Sequence, residues 1–117
     1  QDKLLMFCSY KNITVTAYSP LGNPGLPGRK GPNLLEESIV KKLAKKYKKT
    51  PSQVLLNWAV SRGTITIPKS VTPQRITENI DIFDFNLTHE EQLKISSLNK
   101  DFRIVNPLEW WGIPYFL

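Results

Sequence analysis

The hydrophobic period of the chain changes repeatedly, and each change marks an element. Leu4, Leu5 and Cys8 fall on one side of a helix over residues 1–10, closed by basic Lys11 and by Asn12, a good left-handed cap. The period then drops to two. Ile13, Val15 and Ala17 alternate with Thr14, Thr16 and Tyr18, which predicts a strand over Ile13–Ala17. Pro20–Asn33, dense in Gly and Pro, has no period and reads as a long loop of the kind that binds something. Helical spacing returns over Leu34–Lys49, where Ile39, Val40, Leu43, Ala44 and Tyr47 share a face. Thr50, Pro51 and Gln53 begin a second helix with a capping box, and Gly63 ends it. Thr64–Pro68 is a short β-branched strand. Thr72-Pro73 starts another helix, and Thr88 with Glu91 caps a last one running through Leu93 and Leu98. The tail Arg103–Leu117 is aromatic and broken by proline, so it is expected to be irregular and to cover another surface.

Two strands separated by helices predict a parallel pair with a right-handed crossover. Parallel strands are buried on both faces, and two of them cannot cover themselves. The expected architecture is therefore a slice of a larger α/β sheet or barrel. At 117 residues the chain has room for one small domain at most, and its first residue is not methionine, which suggests a piece of something longer.

Charge alters the picture only locally. Residues 1–69 hold twelve Lys/Arg against three Asp/Glu, while residues 70–117 hold four against seven. Most of the excess lies in Lys41, Lys42, Lys45, Lys46, Lys48 and Lys49, opposite the apolar face of one helix. A solvated face accounts for that run. Base recognition would need organised aromatic or Asn/Arg edge contacts beside it, so no nucleic-acid partner is expected. The single cysteine, Cys8, excludes an internal disulfide framework and a Cys-rich zinc site. No apolar run is long enough for a membrane span, and the start lacks signal-peptide features. The expected setting is cytoplasmic, without a membrane.

Candidate chemistry gathers in "IPKSVTPQRITEN". Lys69 stands at a strand end, Ser70 and Thr72 at a helix mouth, and Arg75 one turn in. Unpaired helical N–H groups, a point charge and a planar guanidinium suit an anion. Spacing alone is equally compatible with a capped surface helix carrying incidental charges. Tyr18 ends the first strand, either projecting over the same mouth or packed beneath it. His89 has no metal-ligand partner at suitable spacing and reads as a surface residue. Asp81, Asp84 and Glu78 carry no mark of an acid–base pair. Trp110 and Trp111 suit a pocket wall or a lid. No Walker or dinucleotide-fold glycine loop is present.

Taken together, "TAYSPLG", "LLEE" through "LAKKYKKTPSQVLLNWAVSRG" and "IPKSVTPQRITENIDIFDFNLT" resemble the aldo-keto reductases over nearly the whole chain. The resemblance implies that residues 1–117 form the C-terminal portion of one (β/α)8 TIM-barrel domain, with Ile13–Ala17 as the seventh strand and Thr64–Pro68 as the eighth. It implies NADP(H) as cofactor and reduction of aldehydes, ketones or sugars to alcohols without a metal. By the same resemblance Tyr18 stacks on the nicotinamide, and Ser19, Leu21 and Asn23 follow the pyrophosphate, although serine is common where Asn23 stands. Lys69, Ser70, Thr72 and Arg75 match the 2′-phosphate grip, and Glu78 and Asn79 the adenine contacts. Trp110 or Trp111 would lie near a small carbonyl substrate. The catalytic Asp, Tyr, Lys and His of the family all precede the matched region, so this chain carries none of them and would need the remainder of the barrel, in a parent that is a monomer or dimer. Gly28 stands where several relatives have an aromatic, which leaves the substrate open. The rival reading is a non-enzymatic relative that keeps the barrel as a structural or channel-associated protein.

Overall fold

The computed structural model describes all residues except 29, 30, 107, 109, 110 and 115–117. Its elements are α1 (Asp2–Tyr10), β1 (Val15–Ala17), a 3₁₀ turn (Leu34–Glu36), α2 (Ser38–Tyr47), α3 (Pro51–Ser61), β2 (Thr64–Thr66), α4 (Pro73–Ile80) and α5 (His89–Ser96). β1 and β2 pair in parallel, with Val15, Thr16 and Ala17 opposite Thr64, Ile65 and Thr66. The chain is α/β, and the expected parallel pair is present.

Both strands are shorter than their apolar pattern. Asn12 turns with φ 54° and the Ile13 N–H donates to Cys8 O at 2.8 Å, so Ile13 still belongs to the turn that ends α1. At the other strand, pairing stops with Ala17 opposite Thr66, and Pro68 has no N–H to extend a ladder.

α3 is the hub. Pro51 occupies its first turn, and Thr50 and Gln53 form the reciprocal capping box that the sequence predicts. Its run Val54, Leu55, Leu56 is buried, and it packs against α2 on one side and β2 on the other. A core cluster joins Val40, Leu43 and Ala44 of α2, Val54 and Leu55 of α3, Phe85 and Leu87 of the segment between α4 and α5, and Ile95 of α5. Tyr47 tilts against Phe85 with ring centroids 5.2 Å apart.

The helix expected over Leu34–Lys49 is not continuous. Asn33 Oδ1 accepts from the Leu35 N–H at 3.2 Å, and Glu36 N–H donates to Asn33 O at 3.0 Å, winding a tight 3₁₀ turn. Glu37 is then extended (ψ 132°), and α2 begins at Ser38. The break lets Leu34 and Leu35, adjacent in sequence, both pack on the core. At the far end α2 stops at Tyr47, because Lys48 takes the left-handed conformation and turns Lys49 away.

The tail also departs from expectation. Leu108 and Trp111 are helical, with Gly112 N–H donating to Leu108 O at 3.0 Å. Upstream, Phe102 lies over the long loop so closely that a Cβ on Gly31 (φ +96°) would come within 2.3 Å of its ring. Phe102, just before the tail, therefore covers part of the Gly/Pro-rich segment.

Candidate functional site

Parallel pairing fixes the geography of the site. Tyr18 follows Ala17 directly and Lys69 follows Thr66 after Ile67-Pro68, so both leave the paired strands on the same rim. Tyr18 is 73% exposed there, and it is not packed beneath the strand end.

After Tyr18 the backbone turns sharply. Ser19 has φ +50°, and its carbonyl accepts the Gly22 N–H at 2.9 Å. Asn23 has φ +53° and its carbonyl accepts the Leu26 N–H. Asparagine tolerates this conformation better than serine does, which gives a local reason for Asn23. Leu21 packs against the core and anchors the turn.

After β2 the chain makes a second turn on the same rim. Ser70 Oγ accepts the Thr72 N–H at 3.1 Å, bracing the approach to α4. Pro73 stands in the first turn of α4 as expected, but the Thr72 side chain makes no cap hydrogen bond. Lys69 and Arg75 are exposed and neither forms an ion pair among the described residues. Glu78 accepts a hydrogen bond from Gln74 Nε2 at 2.8 Å, which engages its carboxylate within its own helix. Asn79 lines, with Lys69, Ser70, Ile65 and Ile76, a cleft of about 680 Å³ between β2 and α4. Lys69 on the cleft and Arg75 in the first turn of α4 are cations without an ion pair among the described residues, beside helical N–H groups that lack a side-chain cap, and groups of this kind suit an anion.

The structure thus brings Lys69, Ser70 and Asn79 around one cleft and puts Tyr18 on the same rim. Trp111 is helical and 67% exposed, and Trp110 lies outside the described residues. No cluster of three or more His, Cys, Asp or Glu suited to a metal ion exists among the described residues.

Sequence reasoning missed one polar arrangement. Asp81 and Asp84, unmarked by pattern, converge on Lys49 Nζ at 2.8 and 2.7 Å. Hydrogen bonds that Lys49 donates to Asp81 and then to Asp84 raise its pKa, and the same bond lowers that of Asp81. Gln53 was legible as a cap residue, but its Nε2 also donates to Asp81 O at 2.7 Å. Only the tertiary fold supplies that second partner.

The chain matches the sequence model of the aldo/keto reductase family over residues 1–100. It belongs to that family. It is 50% identical over 110 residues to aldo-keto reductase family 1 member A1 of Gallus gallus, covering 92% of this chain and 34% of that protein. It is 47% identical over 119 residues to family 1 member D1 of Oryctolagus cuniculus, covering 99% of this chain and 36% of that protein. A crystal structure of a Bombyx mori aldo-keto reductase in complex with NADP superposes with a TM-score of 0.84 at 41% identity, over 94% of this chain and 36% of that one. This aldo-keto reductase chain therefore spans about a third of the length of the relatives it matches. No helix among its described residues is long and apolar enough to cross a membrane.

Proposed function

We propose that this chain forms the C-terminal, cofactor-gripping portion of a (β/α)8 barrel in a cytoplasmic NADP(H)-dependent oxidoreductase that reduces aldehydes, ketones or sugars. The single observation that carries the reading is the parallel pairing that sends Tyr18 and Lys69 to one rim. The relatives' length supports it, because the remaining two thirds would supply the strands and helices that cover β1 and β2. Ile65 and Ile67 are each about half exposed, as are Ile76 and Ile80 of α4 or more so, which is the surface such a remainder would bury.

The residues present fit the cofactor. Lys69 supplies a point charge and Arg75 a guanidinium fork to the adenosine 2′-phosphate, while Ser70, Thr72 and the first N–H groups of α4 add donors. Glu78 and Asn79 meet the adenine. Ser19, Leu21 and Asn23 carry backbone along the pyrophosphate, and the exposed Tyr18 ring offers a stacking face to the nicotinamide. NADPH, when bound, supplies the hydride. The chain's own residues bind and orient; the proton-transfer residues belong to the remainder of the barrel. Trp110 and Trp111 belong to the substrate side.

Titration of the barrel protein containing this chain with NADPH and NADH tests the reading. NADPH should bind at least about tenfold more tightly, since charge-assisted hydrogen bonds to the extra phosphate contribute on the order of 1.5–3 kcal/mol each. Equal affinity for the two would overturn the 2′-phosphate assignment. Turnover of an aldehyde separates the enzyme from a non-enzymatic barrel.

A further inference from the structure

We infer that Lys49 is a positioning residue for the adenosine end of this site, an assignment that rests on the NADP(H) reading above. The need for one is visible in α4. None of its residues is buried, and Thr72 provides no side-chain cap. The helix packs against α3, and its C-terminal exit, residues 81–85, takes the side-chain hydrogen bonds from α3 and its approach.

That exit is tightly pinned. Ile82 N–H donates to Ile80 O at 2.9 Å, closing a turn directly after the helix. Lys49 Nζ sits between the Asp81 and Asp84 carboxylates, and its side chain is only 11% exposed although both acids are more than half exposed. Gln53 Nε2 donates to Asp81 O, and Asn57 Nδ2 donates to Ile82 O at 2.9 Å and to Phe85 O at 3.0 Å. Gln53 and Asn57, four apart on one face of α3, and Lys49, just before its extended N-cap Thr50, together grip residues 81–85. All three side chains reach backbone carbonyls, Lys49 the more weakly at 3.5 Å, which fixes the path of the chain as well as its side chains.

Glu78 and Asn79 lie three and two residues before Asp81, in the last turn of α4. Their placement depends on that of the exit. Neutralising Lys49 leaves two carboxylates facing each other without a cation, and their repulsion opens the segment that sets the angle of α4. Lys49 acts on the site only through Asp81 and Asp84.

A positioning role has a signature that phosphate reading does not share. Adenine is common to NADPH and NADH, so Lys49→Met in the barrel protein should weaken NADH by about tenfold, and NADPH by at least as much because Arg75 rides on the same helix. The turnover number at saturating cofactor should stay unchanged, and Lys49→Arg should restore most of the affinity. Arg75→Ala, measured alongside, should weaken NADPH selectively. A folded Lys49→Met variant with lowered Tm and unaltered dissociation constants would overturn the positioning role, while a selective Arg75→Ala effect would leave the cofactor reading standing. A wild-type protein that binds neither cofactor would overturn both. Should Lys49→Met fail to fold, Asp84→Asn, on an exposed acid, carries the test: weakening of NADH along with NADPH supports the role, and unchanged NADH affinity overturns it.

Discussion

Ala17 and Thr66 stand opposite each other at the last register position of the parallel pair, and the chain leaves both strands toward the same rim. That relationship makes Tyr18 and Lys69 parts of one site although 51 positions separate them in sequence. In α/β folds the carboxyl ends of parallel strands are where ligands bind, because helix N-termini and loop N–H groups collect there.

Arg75 is the residue on which cofactor choice should turn. Arg75→Ala in the barrel protein is expected to cost NADPH binding about tenfold to a hundredfold, the loss of one or two charge-assisted hydrogen bonds. NADH, lacking the phosphate, should lose little, and adding Lys69→Ala should erode the preference further. Dissociation constants for both cofactors decide this. An equal loss for the two would mean that these residues brace the rim.

Glu91 should make stability depend on acid pH. Burial by itself would raise its pKa, but hydrogen bonds from Lys46 Nζ and Tyr47 Oη, each at 2.6 Å, and from the Thr88 N–H outweigh it and hold the pKa down to about 2. A folded pKa below the unfolded value of 4.5 gives stability that is fully present above that value and drains as pH falls toward 2. Glu91→Gln should cost about 1–3 kcal/mol at neutral pH, and the difference from wild type should shrink on acidification. Denaturant unfolding across that range measures it. A pH-independent difference would contradict the role of the charge.

Leu55 should report on the hub helix. It is 2% exposed and belongs to the core cluster, so Leu55→Ala is expected to cost about 2–5 kcal/mol. Thr88→Ala, which removes the side-chain acceptor for the Glu91 N–H at 3.3 Å, should cost only about 1 kcal/mol. Unfolding midpoints of the two variants give the comparison, and a cap loss as large as the core loss would be unexpected.

The 117-residue polypeptide on its own should self-associate. Its two strands leave sheet edges without partners, and Ile65, Ile67, Val71, Ile76, Ile80 and Phe83 are all more than half exposed. Sedimentation over a concentration series should show oligomers and binding of an apolar dye. A monodisperse, cooperatively unfolding monomer would show that the exposed face is tolerated.

Much of this chain was determined by its sequence alone. The capping boxes of Thr50 with Gln53 and Thr88 with Glu91 are local hydrogen bonds between residues three apart, so pattern is enough to find them. The buried face of α2 follows from helical spacing, and the parallel order of the strands from the helices between them. Tertiary structure decided what depends on distant partners. The 3₁₀ break at Glu37 lets Leu34 and Leu35 both reach the core, and the strands are short because Ile13 is drawn into the turn after α1 and pairing stops with Ala17 opposite Thr66. The lysine run looked uniform in sequence, yet packing sorted it: Lys41 pairs with Glu36, Lys46 with Glu91, and Lys49 with Asp81 and Asp84. A charge becomes specific when folding brings its counter-charge within hydrogen-bond reach and shields the pair from water, and no spacing rule along the chain encodes which lysine that will be.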